Sequence, residues 1–475
     1  MIVNEFIGFY DDVFSDFRLK QRAEKVMNDM LIFGKVIVNK FCTNNTDKIG
    51  AYRMFNNDSY NHTDLAKGLY RSCIKNQQSQ HLLCIEDTTE LNYNHHRDRI
   101  KPFDKDIGPV TNSSNVGFFC HPMLVVDAQK KMPIGISSVE IWNRKIGQPT
   151  KRERHYEKLD ITEKESYRWL SSVKRTKKIL SRTPLMTIIG DRESDIYEEL
   201  AQVPDDKTHL LIRSSINRSL VDSDKKLFET LADSEQKGVY DIEIKGNKKR
   251  TGRKACLSIK YTKVKIQRPD KPYKQKYPEY VQLWAIEARE LSSSVPQGES
   301  PILWRILTTH PIENEKDART YIQWYSCRWL IEELFRVIKS KGLEIESAQM
   351  ETGAALKKIV VMALQIAVTI MSLKLAMQKE EPVSTEWFFS KQQIMFMKAL
   401  LPNIEGLTLK QKNPFPHESL AWAAWIIARL SGWSGYKSHG PPGYISMKTG
   451  LEVFYAKFDG FLIATKLLRK DVYKD

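Results

Sequence analysis

Two short apolar stretches, His81 to Ile85 and Leu185 to Ile189, each run within two residues into an aspartate, Asp87 and Asp191. Short apolar runs bounded by turn-forming residues are the pattern of strands buried on both faces of a helix-covered sheet. A carboxylate at the end of such a strand is delivered to the sheet edge, where α/β folds commonly present metal or ligand sites. Taken singly, each aspartate is also an ordinary turn or cap residue, so the surrounding elements decide its meaning.

Those elements follow an order. Strands are predicted at His81 to Ile85, Phe118 to Val126 and Ile134 to Trp142, and three in succession suggest a meander. A helix from about Thr162 to Leu180 follows, then the strand Leu185 to Ile189, a Gly190-Asp191 turn into a short helix, and a strand from His209 to Ser214. The series β-β-β-α-β-α is what a ribonuclease-H-like core produces. From about 220 to 310 alternating segments (Tyr240 to Lys245, Cys256 to Tyr261) predict an inserted β-subdomain with a cationic turn at Lys248 to Lys254 and further charge at Lys260, Lys263, Lys265 and Arg268. A helix is expected from about Arg319 to Lys341, stopped by Gly342. The apolar run Ile359 to Leu373, interrupted by Gln365, Thr369 and Ser372, falls short of the ~18 to 20 residues that span a bilayer and reads as a buried core helix. Glu380-Glu381-Pro382 marks a boundary, and Ser419 to Ser431 and Thr449 to Leu468 read as helices.

The expected architecture is therefore α/β: a ribonuclease-H-like mixed-sheet catalytic core with an inserted β-subdomain, flanked by helical domains. The expected segments are 1–60, 61–378 with the insertion at about 220–310, and 379–475. At 475 residues, several cores are accommodated. Lys and Arg outnumber Asp and Glu by 74 to 58, a net charge of +16 that favours a polyanionic partner. Met1 to Phe6 lacks the positive start and apolar core of a signal peptide, so a cytoplasmic location and no membrane association are expected. Six cysteines without a CxxC pair suggest neither a zinc site nor a disulfide framework, and His95, His96 and His121 lack zinc-type partners. In the N-terminal helical region, Arg18, Arg22 and Lys25 lie opposite the apolar stripe Leu19, Ala23, Val26 and Met30, with Asp16 as a cap. This is either a DNA-facing surface or a solvated charged face.

The helix after the insertion carries a third carboxylate. At ~100° per residue, Tyr325, Arg328, Glu332 and Lys339 fall within a stripe of about 60°. Much of the remaining circumference is apolar, so the helix is expected to be largely buried. A solvated stripe with an Arg328/Glu332 pair fits the same spacing.

The strings Gly50-Ala-Tyr-Arg-Met-Phe, Ile85-Glu-Asp-Thr-Thr, Gly190-Asp-Arg-Glu-Ser-Asp-Ile and Tyr325-Ser-Cys-Arg-Trp-Leu-Ile-Glu-Glu resemble signatures of the insertion sequence 4 family of bacterial DDE transposases, particularly the transposon 5 type. Continued to Lys339, the last string is similar to that family's Y-(2)-R-(3)-E-(6)-K motif, with Cys327 and Leu330 as departures within it. The resemblance implies Asp87, Asp191 and Glu332 as the catalytic, metal-binding triad, with Mg²⁺, or Mn²⁺ in its place, as two ions per site. It implies phosphate contacts from Tyr325, Arg328 and Lys339, a DNA contact from Arg213, and stacking of an extruded base on Trp304. Arg18, Arg22 and Arg53 are expected to bind DNA from the N-terminal helices. The implied partners are double-stranded DNA, as transposon ends and target, and a second copy of the chain in a synaptic homodimer. The implied activity is cut-and-paste transposition through a hairpin intermediate. A catalytically inactive DNA-binding regulator with the same fold is the alternative, and a ribonuclease-H-like nuclease without strand transfer is a further enzymatic one.

Overall fold

The computed structural model describes residues 6, 8–101, 104–111, 115–148, 153, 155–244, 246, 251–270, 276–379 and 382–471. Lys248, Lys249 and Arg250 of the cationic turn, and Glu380 and Glu381 of the expected boundary, lie outside them. Four helices open the chain: α1 (Phe17–Phe33), α2 (Val38–Phe41), α3 (Asn45–Phe55) and α4 (His62–Asn76). Asp16 caps α1 by accepting the Arg18 N–H at 2.8 Å, and of the predicted stripe Ala23, Val26 and Met30 are buried while Leu19 is half-buried. Asn61 and Asp64 form a capping box on α4, which satisfies two amide groups that a helix start leaves unpaired.

The core is a mixed sheet of 11 strands among the described residues: β1 (His81–Glu86), β2 (Thr89–Asn92), β3 (Gly108–Pro109), β4 (Val116–Asp127), β5 (Pro133–Trp142), β6 (Leu185–Gly190), β7 (Thr208–Arg213), β8 (Gln236–Ile244), β9 (Arg253–Gln267), β10 (Tyr280–Glu290) and β11 (Leu303–Thr308). Strands β1, β6 and β7 run parallel, and β4 pairs antiparallel with both β1 and β5. With helical flanks, this arrangement is consistent with a ribonuclease-H-like core. The meander expected from three successive strands is present as β1, β4 and β5. The strands of the expected insertion do not make a separate sheet: β11 pairs with β7, and β10, β9 and β8 continue outward in order.

Crossover helices cover the sheet: α5 (Tyr167–Ile179), α6 (Tyr197–Gln202) and α7 (Leu227–Asp233) bury Leu82, Cys84, Ile188, Leu210 and Ile212. The opposite face, with Leu83, Ile85, Ile189 and Leu211, packs into the core shared by α8 (Glu315–Ser326), α9 (Trp329–Ile338) and α10 (Gly353–Ala376). This division follows from strand geometry, because alternate residues of a buried strand point to opposite faces. Helix α10 contains the predicted core run. By length and composition alone it is apolar enough to cross a membrane, yet 94% of its apolar window is buried within the protein. Helices α11 (Lys391–Ile404), α12 (Leu420–Leu430) and α13 (Tyr444–Asp471) complete the chain.

Two predicted helices differ from the expectation. The first begins at Tyr167 rather than Thr162, because Asp160 and Glu163 cap a separate short turn and Lys164 is extended (φ −100°, ψ 148°). The second is two helices. It starts early, at an Asn314–Asp317 capping box, is interrupted by a turn at Cys327–Arg328, and ends at Ile338, with Lys339 non-helical (φ −92°, ψ −84°).

Candidate active site

Strands β1 and β2 are one strand interrupted by two residues. Both pair with β4 in a single register, Glu86 opposite Met123 and Thr89 opposite Cys120, and Asp87-Thr88 occupies the break. The Asp87 carboxylate accepts the Thr88 N–H at 2.7 Å. On the neighbouring strand Ile189 lies beside Ile85, so the aspartate two residues beyond each isoleucine emerges at the same edge. Asp191 caps a short turn (Arg192–Ser194) by accepting the Glu193 N–H at 2.8 Å. Gly190 permits that turn, since a Cβ there would stand 2.3 Å from Ser194 Oγ.

Glu332 comes from the opposite layer, on the first turn of α9. Arg328 joins it to the sheet: one guanidinium nitrogen lies 3.2 Å from Asp87 Oδ2 and another bonds Glu332. Adjacent Glu333 fixes the rotation of α9. It accepts from Trp329 Nε1 at 3.1 Å and Arg336 at 2.6 Å, pairs with Lys374 of α10 at 3.4 Å, and is bonded by the Tyr444 hydroxyl of α13. Burial, and then the charge of Asp191 with a smaller contribution from Glu332, push the Asp87 carboxyl up to about 7, while the Thr88 amide and Arg328 oppose the shift. That coupling places all three carboxylates within electrostatic reach of one another. Burial works against the Arg328 charge, but Tyr325, Glu332 and Asp87 outweigh it and hold the guanidinium above its ordinary value.

Among the described residues, no three His, Cys, Asp or Glu side chains are grouped tightly enough to hold an ion as they stand. The donor chemistry nevertheless suits one: the trio offers only hard oxygens. The neighbouring carboxylate charge that adds to burial in raising Asp87 is what a divalent cation relieves, and Arg328 offsets part of it in the same place.

The other predicted residues divide into groups. Tyr325, at the end of α8, is buried with its ring 6.4 Å from that of Trp304, between centroids, and its hydroxyl proton is held above the usual range by burial, against the pull of Arg328 and Arg213. Arg213, at the end of β7, is half-buried and donates to the Leu303 carbonyl at 3.2 Å. Tyr325, Arg213, Arg328 and Trp304 thus meet beside the aspartates. Lys339 lies beyond the end of α9, 3.9 Å from Glu346, and so does not extend a helical stripe. In the N-terminal helices Arg18 and Arg53 are exposed, whereas Arg22 is bound to Asp47 at 2.7 Å and ties α1 to α3. Part of the cationic stretch of the β8–β11 region is also paired internally: Arg253 with Glu290 and Glu299, Lys254 with Asp241, and Lys265 with Asp222.

Behind the carboxylates lies a polar network that sequence reading passed over. Arg168 donates to Thr88 Oγ1 at 2.9 Å, Thr88 contacts His121 Nδ1 at 3.0 Å, and His121 Nε2 lies 3.2 Å from buried Glu86. Glu199, bonded by Ser194, is pushed up to about 8 by burial, with Asp195 and Asp191 adding to the shift. Glu86 ends β1 and His121 lies within β4, and only the pairing of those strands reveals their contact. Arg168 had no local signal at all.

Residues 167–370 match the family model of the transposase DDE domain. The span begins beyond Asp87 and includes Asp191, Arg213, Trp304, Tyr325, Arg328, Glu332 and Lys339. Over it the chain is similar to DDE transposases, which supports a transposase function.

Proposed function

We propose, on the premise of that similarity, that the chain is a cut-and-paste DNA transposase of the insertion sequence 4, transposon 5 type, with Asp87, Asp191 and Glu332 as its catalytic carboxylates. The observation that carries the reading is their convergence: two aspartates from adjacent parallel strands and a glutamate from the overlying helix, coupled through Arg328 and mutual charge.

The three carboxylates would hold Mg²⁺ or Mn²⁺, two ions per site. Metal held there would supply Lewis-acid activation of an attacking water or 3′-hydroxyl and charge stabilisation of the leaving oxygen in a displacement at phosphorus. Arg328, released from Asp87 and Glu332, turns its planar donors to a DNA phosphate. Arg213 and Tyr325 orient the backbone beside the scissile bond, and Lys339 adds a compact charge further along. Trp304 receives a base extruded during hairpin formation, a stacking contact worth ~1–3 kcal/mol. Arg18 and Arg53 present charge from the N-terminal helices to the transposon end, and two protomers pair to synapse two ends. The protein acts in the cytoplasm, on the nucleoid.

The test is cleavage and joining of a duplex carrying the inverted repeats that flank the coding sequence, with Mg²⁺ or Mn²⁺. Asp87→Ala, Asp191→Ala and Glu332→Ala each abolish strand cleavage, by 10³-fold or more, on the order expected for removing essential metal ligation, while gel-shift binding persists. Wild-type binding with no nicking under either metal establishes the inactive regulator instead, and nicking without joined products establishes a nuclease.

A further inference from the structure

Each aspartate at the sheet edge is oriented by the backbone N–H of a nearby residue: Thr88 for Asp87 at 2.7 Å, and Glu193 for Asp191 at 2.8 Å. The side chains of those two orienting residues are bound by one guanidinium. Arg168, on the first turn of α5, donates through Nε to Thr88 Oγ1 at 2.9 Å and through Nη2 to Glu193 Oε2 at 2.6 Å. Its remaining nitrogen, Nη1, donates to the Glu165 carbonyl at 3.0 Å. The group lies over the Trp142 and Trp169 rings at 5.4 and 5.2 Å, and its side chain is only 11% exposed. A planar guanidinium with all three nitrogens engaged and its faces against aromatic rings has little freedom to rotate.

We propose that Arg168 is a positioning residue that sets the separation of Asp87 and Asp191, and hence the affinity of the site for divalent cations. The proposal rests on the functional reading above. Without the strut, the Asp87-Thr88 break and the Asp191–Glu193 turn are tied together through the sheet, whose β1–β6 pairing ends at Ile85 and Ile189. Either peptide can then rotate and carry its aspartate oxygen out of register with the other. The strut is independent of Arg328, which approaches from the opposite layer and bonds the carboxylates directly. Arg168 touches neither carboxylate, so its effect is on geometry rather than on ligand count. Lysine cannot replace it, because one ammonium reaches one turn or the other but does not span both in a fixed plane.

Mn²⁺ binding to the full-length protein, measured by the loss of free-ion electron paramagnetic resonance signal, tests the assignment without requiring turnover. Arg168→Ala and Arg168→Lys each raise the Mn²⁺ dissociation constant by about 10- to 100-fold, the range for losing a residue that orients metal ligands. The Mn²⁺ concentration needed for half-maximal nicking rises in parallel, while end-DNA affinity stays within about twofold. Glu193→Ala, at a largely exposed side chain, gives a smaller rise, and the double variant with Arg168→Ala is no worse than Arg168→Ala alone, as expected of groups acting through one strut. Unchanged Mn²⁺ affinity in folded Arg168→Ala, or additive effects in the double variant, overturns the positioning role. Wild-type protein that binds no Mn²⁺ overturns the functional reading and this proposal with it, and a thermal melt identifies any variant that has failed to fold.

Discussion

Asp87 is a half-buried carboxyl that feels the charge of two others, Asp191 and Glu332. An unfolded aspartate loses its proton near ~3.9, whereas Asp87 is pushed up to about 7 by burial and then by Asp191. The folded state therefore holds this proton more tightly, so the group leaves stability intact below pH ~3.9 and lowers it progressively as pH rises through about 7. Asp87→Asn, which removes the charge and keeps the shape, is expected to stabilise metal-free protein at pH 8 by about 2 kcal/mol, a gain that fades toward pH 4. Thermal unfolding in chelator at the two pH values measures it. A variant less stable than wild type at pH 8 contradicts the picture of a strained carboxylate. At this scale much was legible: an aspartate placed straight after a buried apolar strand emerges at the sheet edge whatever the rest of the fold does. Arg168 was not legible, because its partners Thr88 and Glu193 lie far from it in sequence and are brought to it by packing alone.

At the scale of elements, the starting ends of the parallel strands carry a cluster that the proposed chemistry does not use. His81 on β1 and His310, just beyond β11, both contact the Thr187 hydroxyl of β6, at 2.8 and 2.7 Å, and His209 of β7 stacks on His310 with ring centroids 4.0 Å apart. Trp324 and Tyr321 of α8 cover the rings. Burial, then neighbouring imidazole charge, pushes His81 down to about 4 and His310 to about 2. Burial also lowers His209, against the Thr309 contact and Asp205, and Asp127 acts in the raising direction on His81. Because these values are depressed, the unfolded chain takes up protons first as pH falls below ~6.5, and stability declines from there toward pH 4. His310→Gln, which keeps a polar atom facing Thr187 without titrating near neutrality, should make the melting temperature depend less steeply on pH between 7 and 5. An unchanged slope would exclude His310 as a source. Element types were readable from periodicity, but boundaries were not: the helix expected over 319–341 is divided at Cys327–Arg328, where both residues keep helical dihedrals but the backbone bonds tighten to three-residue spacing.

For the molecule as a whole, the net charge of +16 predicts DNA binding that weakens steeply with salt, through release of condensed counterions. Which cations take part depends on who is already paired. Arg213→Ala is expected to lower the magnitude of the log–log salt slope by about 1, the signature of a lost phosphate contact. Arg22→Ala, which breaks the bond to Asp47, should leave that slope unchanged and lower the melting temperature instead. A common slope change in both would contradict this division. The α/β character, the strand-end aspartates, the buried run that became α10 and the basic balance were determined by the sequence alone, because burial periodicity and charge are local properties of a chain. The tertiary structure alone decided that the β8–β11 strands extend the core sheet, that Arg328 bridges two carboxylates from different layers, that Arg22 and Arg253 are spent on internal pairs, and that Arg168 spans both aspartate turns. Each of those depends on a contact between residues distant in sequence, and such contacts are set by which surfaces pack together rather than by any pattern along the chain.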